Sequence, residues 1–116
     1  MKIETIFVQG LNKEITFMIG KDKDDNFAII DESDMTDLWI HANGHSSCHV
    51  VCKIPLGSNK KELKYIIKMG AILCKKYTNK LKSLQNVEFV YSDVKNVQKT
   101  NVIGCVTVSE RKYITL

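Results

Sequence analysis

Proline, arginine and tryptophan barely occur in this chain: of its 116 residues, Pro55, Arg111 and Trp39 are the single examples of each. Internal repeats, low-complexity tracts and long linkers are absent, so the chain does not read as fibrous or disordered. No apolar run reaches the roughly 20 residues that a helix needs to cross a bilayer, and no membrane partner is expected. The N-terminal segment lacks a basic stretch followed by an apolar one, so no export signal is expected. The four cysteines, Cys48, Cys52, Cys74 and Cys105, form no C-x-x-C pair. Without export they read as free thiols of a reducing compartment. The expected location is the cytoplasm, with the nucleus as the alternative.

Motifs of catalysis are lacking as well. There is no Gly-rich phosphate loop, no paired-carboxylate motif and no G-x-S-x-G elbow. His41, His45, Cys48, His49 and Cys52 bring metal-ligand types together, but strand alternation sends Cys48 and Cys52 to one face and His49 to the other. Their spacing fits no zinc finger or ribbon. Both cysteines sit in an apolar segment, where a thiol usually behaves as a small buried hydrophobe and not as a nucleophile. The reading is therefore not an enzyme, with no metal and no cofactor.

What is present describes one soluble globular domain, residues 1–116. Apolar residues make up 44% and charged ones 26%, enough for one core and too short a chain for two. Ile3–Val8 and Ile15–Ile19 read as a hairpin around Gly10–Lys13, followed by a charged loop over Gly20–Asn26. Phe27–Ile30 reads as a short strand or a helical turn. Leu38–Ala42 and Cys48–Ile54 read as two strands joined across Asn43–Ser47. Pro55–Asn59 breaks the chain, with Ser58 or Asn59 as the cap of a helix over Lys60–Lys82. In that helix Leu63, Ile66, Ile67, Gly70, Ala71, Cys74, Tyr77 and Leu81 repeat at the spacing of one buried face. Val87–Tyr91, Val102–Val108 and Tyr113–Leu116 complete the strands, with Glu110–Lys112 as a hairpin turn. The expected fold class is α+β: a mostly antiparallel sheet with one main amphipathic helix packed on it.

Charge is divided unevenly along the chain. Residues 1–58 carry five Lys against nine Asp or Glu, a net of −4, whereas residues 59–116 carry eleven Lys and one Arg against four acids, a net of +8. Eight Lys and a single Glu fall between Lys60 and Lys82. Lys61, Lys64, Lys68, Lys75 and Lys82, spaced by three, four, seven and seven, form a stripe beside the apolar face. Like charges at i, i+4, such as Lys64 with Lys68, weaken a helix, and a merely solvated face would intersperse Glu. The stripe suits phosphates, with a solvated surface as the bland alternative. Tyr65, Met69 and Ile72 make a second, smaller apolar strip, either lying under a loop or seating a protein partner.

The densest feature is Asp37-Leu38-Trp39-Ile40-His41-Ala42 with His49-Val50-Val51 downstream. Trp39 reads as core, with His41 and His49 satisfied by backbone or by Asp37. The functional alternative keeps their polar edges at the surface, stacking on a base or donating to a phosphate. These segments resemble the NFACT-R domain, the predicted RNA-binding module of the NFACT proteins of ribosome-associated quality control. The resemblance runs over most of the chain: Gly20-Lys21-Asp22 through Asn26, the DLWIHA hexapeptide, His49-Val50-Val51, Val87–Tyr91, Val97-Gln98-Lys99 and Gly104-Cys105-Val106. Where the family commonly has Pro-Gly-Ser before the His, this chain has Ser46-Ser47-Cys48, closer to small stand-alone eukaryotic coiled-coil-domain relatives.

Charge placement and resemblance together imply a non-enzymatic RNA-binding module, and the resemblance implies that it serves tRNA or rRNA or is ribosome-associated. The candidate nucleic-acid contacts are Lys61, Lys64, Lys68, Lys75, Lys21, Trp39, His41, His49 and Lys99. DNA binding, or protein docking through Tyr65, Met69 and Ile72, are the alternatives.

Overall fold

The computed structural model describes residues 1–116 and is built on a six-stranded antiparallel sheet. Strands β1 (Lys2–Val8) and β2 (Lys13–Gly20) form the expected hairpin, in register from Lys2 opposite Ile19 to Val8 opposite Lys13. Its turn depends on Asn12 in the left-handed region, with the Val8 carbonyl accepting from the Leu11 and Asn12 amides. β3 (Leu38–Ala42) and β4 (His49–Cys52) pair with each other at the centre. β5 (Glu88–Asp93) follows β3, and β8 (Lys112–Thr115) closes the far edge, giving the order β1-β2-β4-β3-β5-β8.

Alternation along the central strands sends side chains to two covers. Phe17, Ile19, Leu38, Ile40, Ala42, Val50, Cys52 and Phe89 point to one face, covered by helix α2 (Lys60–Lys76). Met18, Trp39, Val51 and Val90 point to the other, where Ile29 of helix α1 (Lys23–Asp31) packs with Val94 and Val97. The second cover is completed by a two-stranded ribbon, β6 (Val97–Lys99) with β7 (Val106–Val108). α2 comes close enough to the sheet that a Cβ on Gly70 would meet Ile40 Cδ1 at 2.6 Å and Cys52 Sγ at 2.7 Å.

The α+β architecture is as expected, and its details correct several expectations. Gly20–Asn26 is not simply a loop, because α1 begins within it. Asp22 caps α1 by accepting from the Asp25 amide at 2.8 Å, and Asp24 and Asp25 suit the positive helix end. α2 starts on an Asn59–Glu62 capping box but ends at Lys76, six residues before the expected Lys82. Thr78 leaves the helix with extended backbone, and its hydroxyl accepts from the Cys48 amide at 3.1 Å. A 3₁₀ turn over Asn79–Leu81 then buries Leu81, so the apolar periodicity continues where the helix does not. Lys82 is accordingly not part of the α2 stripe. The strand expected over Cys48–Ile54 is confined to β4, and that over Val102–Val108 to β7. Glu110–Lys112 joins no hairpin, since β7 pairs with β6 and β8 with β5.

Gly20 sits at the joint between β2 and α1. A Cβ there would meet Asn26 Oδ1 at 2.6 Å and the Asn26 and Asp25 backbone at 3.1 Å. Backbone cannot yield as a side-chain tip can, so Gly20→Ala is expected to destabilise the fold by about 1–3 kcal/mol. Urea unfolding of the two proteins checks this.

Candidate nucleic-acid interface

The Trp/His cluster forms first from strand pairing. Trp39 lies opposite Val51, and His41 and His49 continue the same register. All three rings therefore stand on the face away from α2. Trp39 is 2% exposed and His49 5%, while His41 is half-buried. Trp39 stacks on His41 with ring centroids 5.7 Å apart, and His49 meets both edge-on, at 5.3 Å from Trp39 and 4.6 Å from His41. The indole N–H donates to His49 Nδ1 at 3.2 Å, so the ring that receives it is neutral. Burial pushes His49 down to about 3, with the neighbouring His41 adding to it. Burial likewise lowers His41 to about 4, and the charge of Lys80 reinforces the shift.

These geometries bear on the sequence reading. Trp39 and His49 are enclosed and paired, so in this fold neither ring is presented for stacking on a base. His41 keeps only part of its edge accessible. Asp37 serves the frame and not the histidines: buried to 2%, it accepts from Lys53 Nζ at 2.8 Å, the Asp34 amide at 2.9 Å and the Ile54 amide at 3.2 Å. Lys99 is paired with Asp31 and lies over the Phe27 ring, on the α1 side of the sheet.

The lysines of α2 differ. Lys60, Lys61, Lys64, Lys68 and Lys76 are exposed and Lys75 is half-buried. The five ion pairs of the protein involve the Met1 ammonium, Lys53, Lys95 and Lys99 and no lysine of α2. From Lys61 to Lys75 the helix rises about 21 Å, so four unpaired cations mark a line of that length. Beside its N-terminal half a cavity of about 620 Å³ is lined by Lys60, Lys64, Leu38, Tyr91 and Lys112 among others. Of the second apolar strip, Met69 packs on the core, Tyr65 lies against Gly10 yet stays 39% exposed, and Ile72, 40% exposed, sits in a depression with Lys75, Lys76, Lys82 and Leu116.

At the C-terminal end of α2 stands an arrangement that the sequence does not disclose. Lys2 of β1, Lys21 after β2 and Lys76 of α2 each place Nζ 5.1–5.5 Å from the centre of the Tyr77 ring. Lys21 also lines a depression with Lys80, Ser46 and Ser47. Of these residues only Lys21 was a sequence candidate. Burial and the adjacent Glu4 carboxylate raise the Tyr77 hydroxyl above its usual range. The cysteines here are structural: Cys48 and Cys74 each donate a thiol hydrogen bond to the other's carbonyl, at 3.4 and 3.2 Å. No three His, Cys, Asp or Glu side chains converge as a metal site, and no helix is long and apolar enough to cross a membrane.

Comparison with protein families matches residues 5–109 to the NFACT protein RNA binding domain. The chain belongs to the NFACT-R family. NFACT-R is an RNA-binding domain family and not a known enzymatic one, which supports a nucleic-acid-binding role for the chain. Among solved structures, the C-terminal part of the fibronectin/fibrinogen-binding protein from Streptococcus suis shares the fold, with a TM-score of 0.76 and 20% identity. The alignment covers 88% of this chain and 41% of that one, so the NFACT-R chain spans about two fifths of that structure's length. A comparison with curated protein sequences finds no match.

The neutral histidines set a pH dependence. Both titrate below their ordinary 6.5 when folded, so below that value the unfolded chain binds more protons, and stability falls as pH falls toward 4 and 3. Above 6.5 their contribution is complete. Between about pH 6.5 and 5, above most carboxylate titration, His49 alone is expected to remove about 2 kcal/mol. Urea midpoints across that interval check this, and His49→Gln is expected to flatten the profile.

Proposed function

We propose that this NFACT-R domain binds RNA through α2, with Lys61, Lys64, Lys68 and Lys75 on phosphates and Lys21 extending the contact at the helix's C-terminal end. The observation that carries this reading is the line of unpaired lysines over about 21 Å. Like charges at i, i+4 weaken the helix, and no carboxylate in the fold relieves them, so a polyanion is the partner that would. Ribosomal RNA or tRNA in the cytoplasm is the RNA we assign, in the setting of ribosome-associated quality control that the family resemblance implies. Trp39, His41 and His49 act in this reading by fixing the sheet beneath, with only the His41 edge available to a ligand. A protein partner seated on Ile72 is the second reading, favoured by that residue's exposure beside Leu116.

Fluorescence anisotropy with labelled tRNA, single-stranded RNA and duplex DNA across a salt series tests the proposal. The five lysine contacts give a slope of log affinity against log salt of about −3.5 on single-stranded RNA. Lys61→Glu, Lys64→Glu and Lys68→Glu together are expected to abolish binding while leaving the urea midpoint within the small change typical of surface substitutions. Unchanged affinity in that variant sinks the proposal. Equal affinity for DNA and RNA reduces it to an unspecific basic surface, and no binding at physiological salt favours the protein partner.

A further inference from the structure

We propose that Lys2, Lys21, Lys76 and Lys80, gathered about Tyr77, form a discrete subsite for one RNA phosphate, separate from the α2 stripe; the RNA assignment rests on the function proposed above. The four cations come from β1, the β2–α1 junction, α2 and the 3₁₀ turn after it. Three of them lie 5.1–5.5 Å from the same ring centre. A lysine at the end of a helix is ordinarily explained by the negative charge of the helix C-terminus, and that explanation covers Lys76. It does not cover Lys2 and Lys21, which arrive from the sheet and bring like charge to the same ring.

The neighbouring acids do not neutralise the group. Glu4 lies beside the Tyr77 hydroxyl. Asp25, near Lys21, binds the Met1 ammonium at 3.0 Å. Neither carboxylate comes within ion-pair distance of the four lysines, none of which has an ion pair. Because the Tyr77 ring is surrounded by ammonium groups, it organises cations and is not available as a stacking platform for a base. The site accordingly takes a phosphate and not a nucleobase.

Ser46 and Asn79, whose side chains make no hydrogen bond within the fold, supply its donors, while the Ser47 and Thr78 hydroxyl protons are already given to the Cys48 carbonyl and thiol sulfur. The depression that Lys21 and Lys80 line has Ser46, Ser47, Thr78 and Asn79 on its walls and a volume of about 420 Å³, room for a phosphate with its flanking sugars. Its rim is held in place: the Ser47 hydroxyl accepts from the Ala42 amide at 3.1 Å and donates to the Cys48 carbonyl at 2.9 Å. Thr78 is tied to the Cys48 amide on the opposite wall. Lys21 and Lys80 line this depression, and Lys2 and Lys76 stand beside it across the Tyr77 ring; a preformed polar wall next to such cations binds a compact anion with little ordering cost.

The test is a titration of ¹⁵N-labelled protein with pyrophosphate at low salt, followed by amide shifts, with chloride as the control anion. Saturable shifts confined to Ser46–Cys48 and Tyr77–Lys80 are expected. Lys21→Gln with Lys80→Gln, two exposed positions, is expected to weaken this binding about 10-fold or more, and Lys61→Gln with Lys64→Gln and Lys68→Gln to leave it unchanged. Tyr77→Leu, which keeps an apolar side chain on the core, is expected to weaken it as well. Shifts spread evenly over α2, or retained in the Lys21/Lys80 variant, overturn the subsite. RNA binding by anisotropy without a localised pyrophosphate site overturns the subsite alone and spares the proposed function. A localised site in a protein that binds no RNA overturns the proposed function and the RNA assignment, and leaves an anion site.

Discussion

Everything in this fold follows from the central strands being covered on both sides. β3 and β4 are buried along both rows of side chains, so Leu38, Ile40 and Ala42 serve the α2 layer while Trp39 and His41 serve the α1 layer. A polar aromatic row placed in such an interior has to satisfy itself. Trp39 does so by donating to His49, and the histidines do so by remaining uncharged. Most of the hexapeptide that looks most like a binding motif is thereby built into the frame, with the His41 edge as the part left accessible. Asp37 has the same commitment, since its carboxylate holds Lys53 and the Ile54 amide at the end of β4.

With the polar aromatics enclosed, charge is left to the covers, and the two covers differ in sign. The α1 side carries Asp22, Asp24, Asp25, Asp31, Glu32 and Asp34 against Lys21, Lys23, Lys53 and Lys99, the last two paired with Asp34 and Asp31. α2 carries Lys60, Lys61, Lys64, Lys68, Lys75 and Lys76 against Glu62 alone. An imbalance along the sequence is thus converted into an imbalance across the sheet. Such a charge distribution has a direction, and under the function proposed above it would steer a polyanion toward α2 and away from α1. The enclosed histidines contribute nothing to that field at neutral pH, which leaves it to the lysines.

Much of this was legible in residue order, and the failures have physical causes. α2 announced itself because Ile66, Ile67, Gly70, Ala71 and Cys74 repeat at helical spacing and are all buried. Its end was hidden because the 3₁₀ turn keeps Leu81 facing inward, so the apolar pattern outlasts the helix. α1 was obscured because it buries only Asn26 and Ile29 and begins with charge; the available signal was Asp22 as a cap followed by two acids. β6 is three residues long, with Gln98 and Lys99 exposed, too short and polar for an alternation to register. The strand alternation that separates Cys48 and Cys52 from His49 was readable, and the structure keeps it, with the cysteines on the α2 side. What no sequence pattern contained is the meeting of Lys2, Lys21 and Lys76, because their approach depends on strand order and on where α2 stops.

That stopping point has a consequence for recognition. Had α2 continued to Lys82, its lysines would have formed one straight row, suited to any stretch of phosphates at a regular rise. Ending at Lys76 instead turns the chain at Thr78 back toward β4, and the hydrogen bonds among Thr78, Cys48 and Cys74 pin the turn there. The row thereby acquires a cationic corner where lysines from three further elements converge. On the binding mode proposed above, a straight duplex strand would follow the row but not the corner, whereas a single strand or a bent junction, whose backbone changes direction, would engage both. Structured RNA offers such bends in its loops and ends, and that is the physical ground on which the proposal prefers it to a uniform DNA duplex.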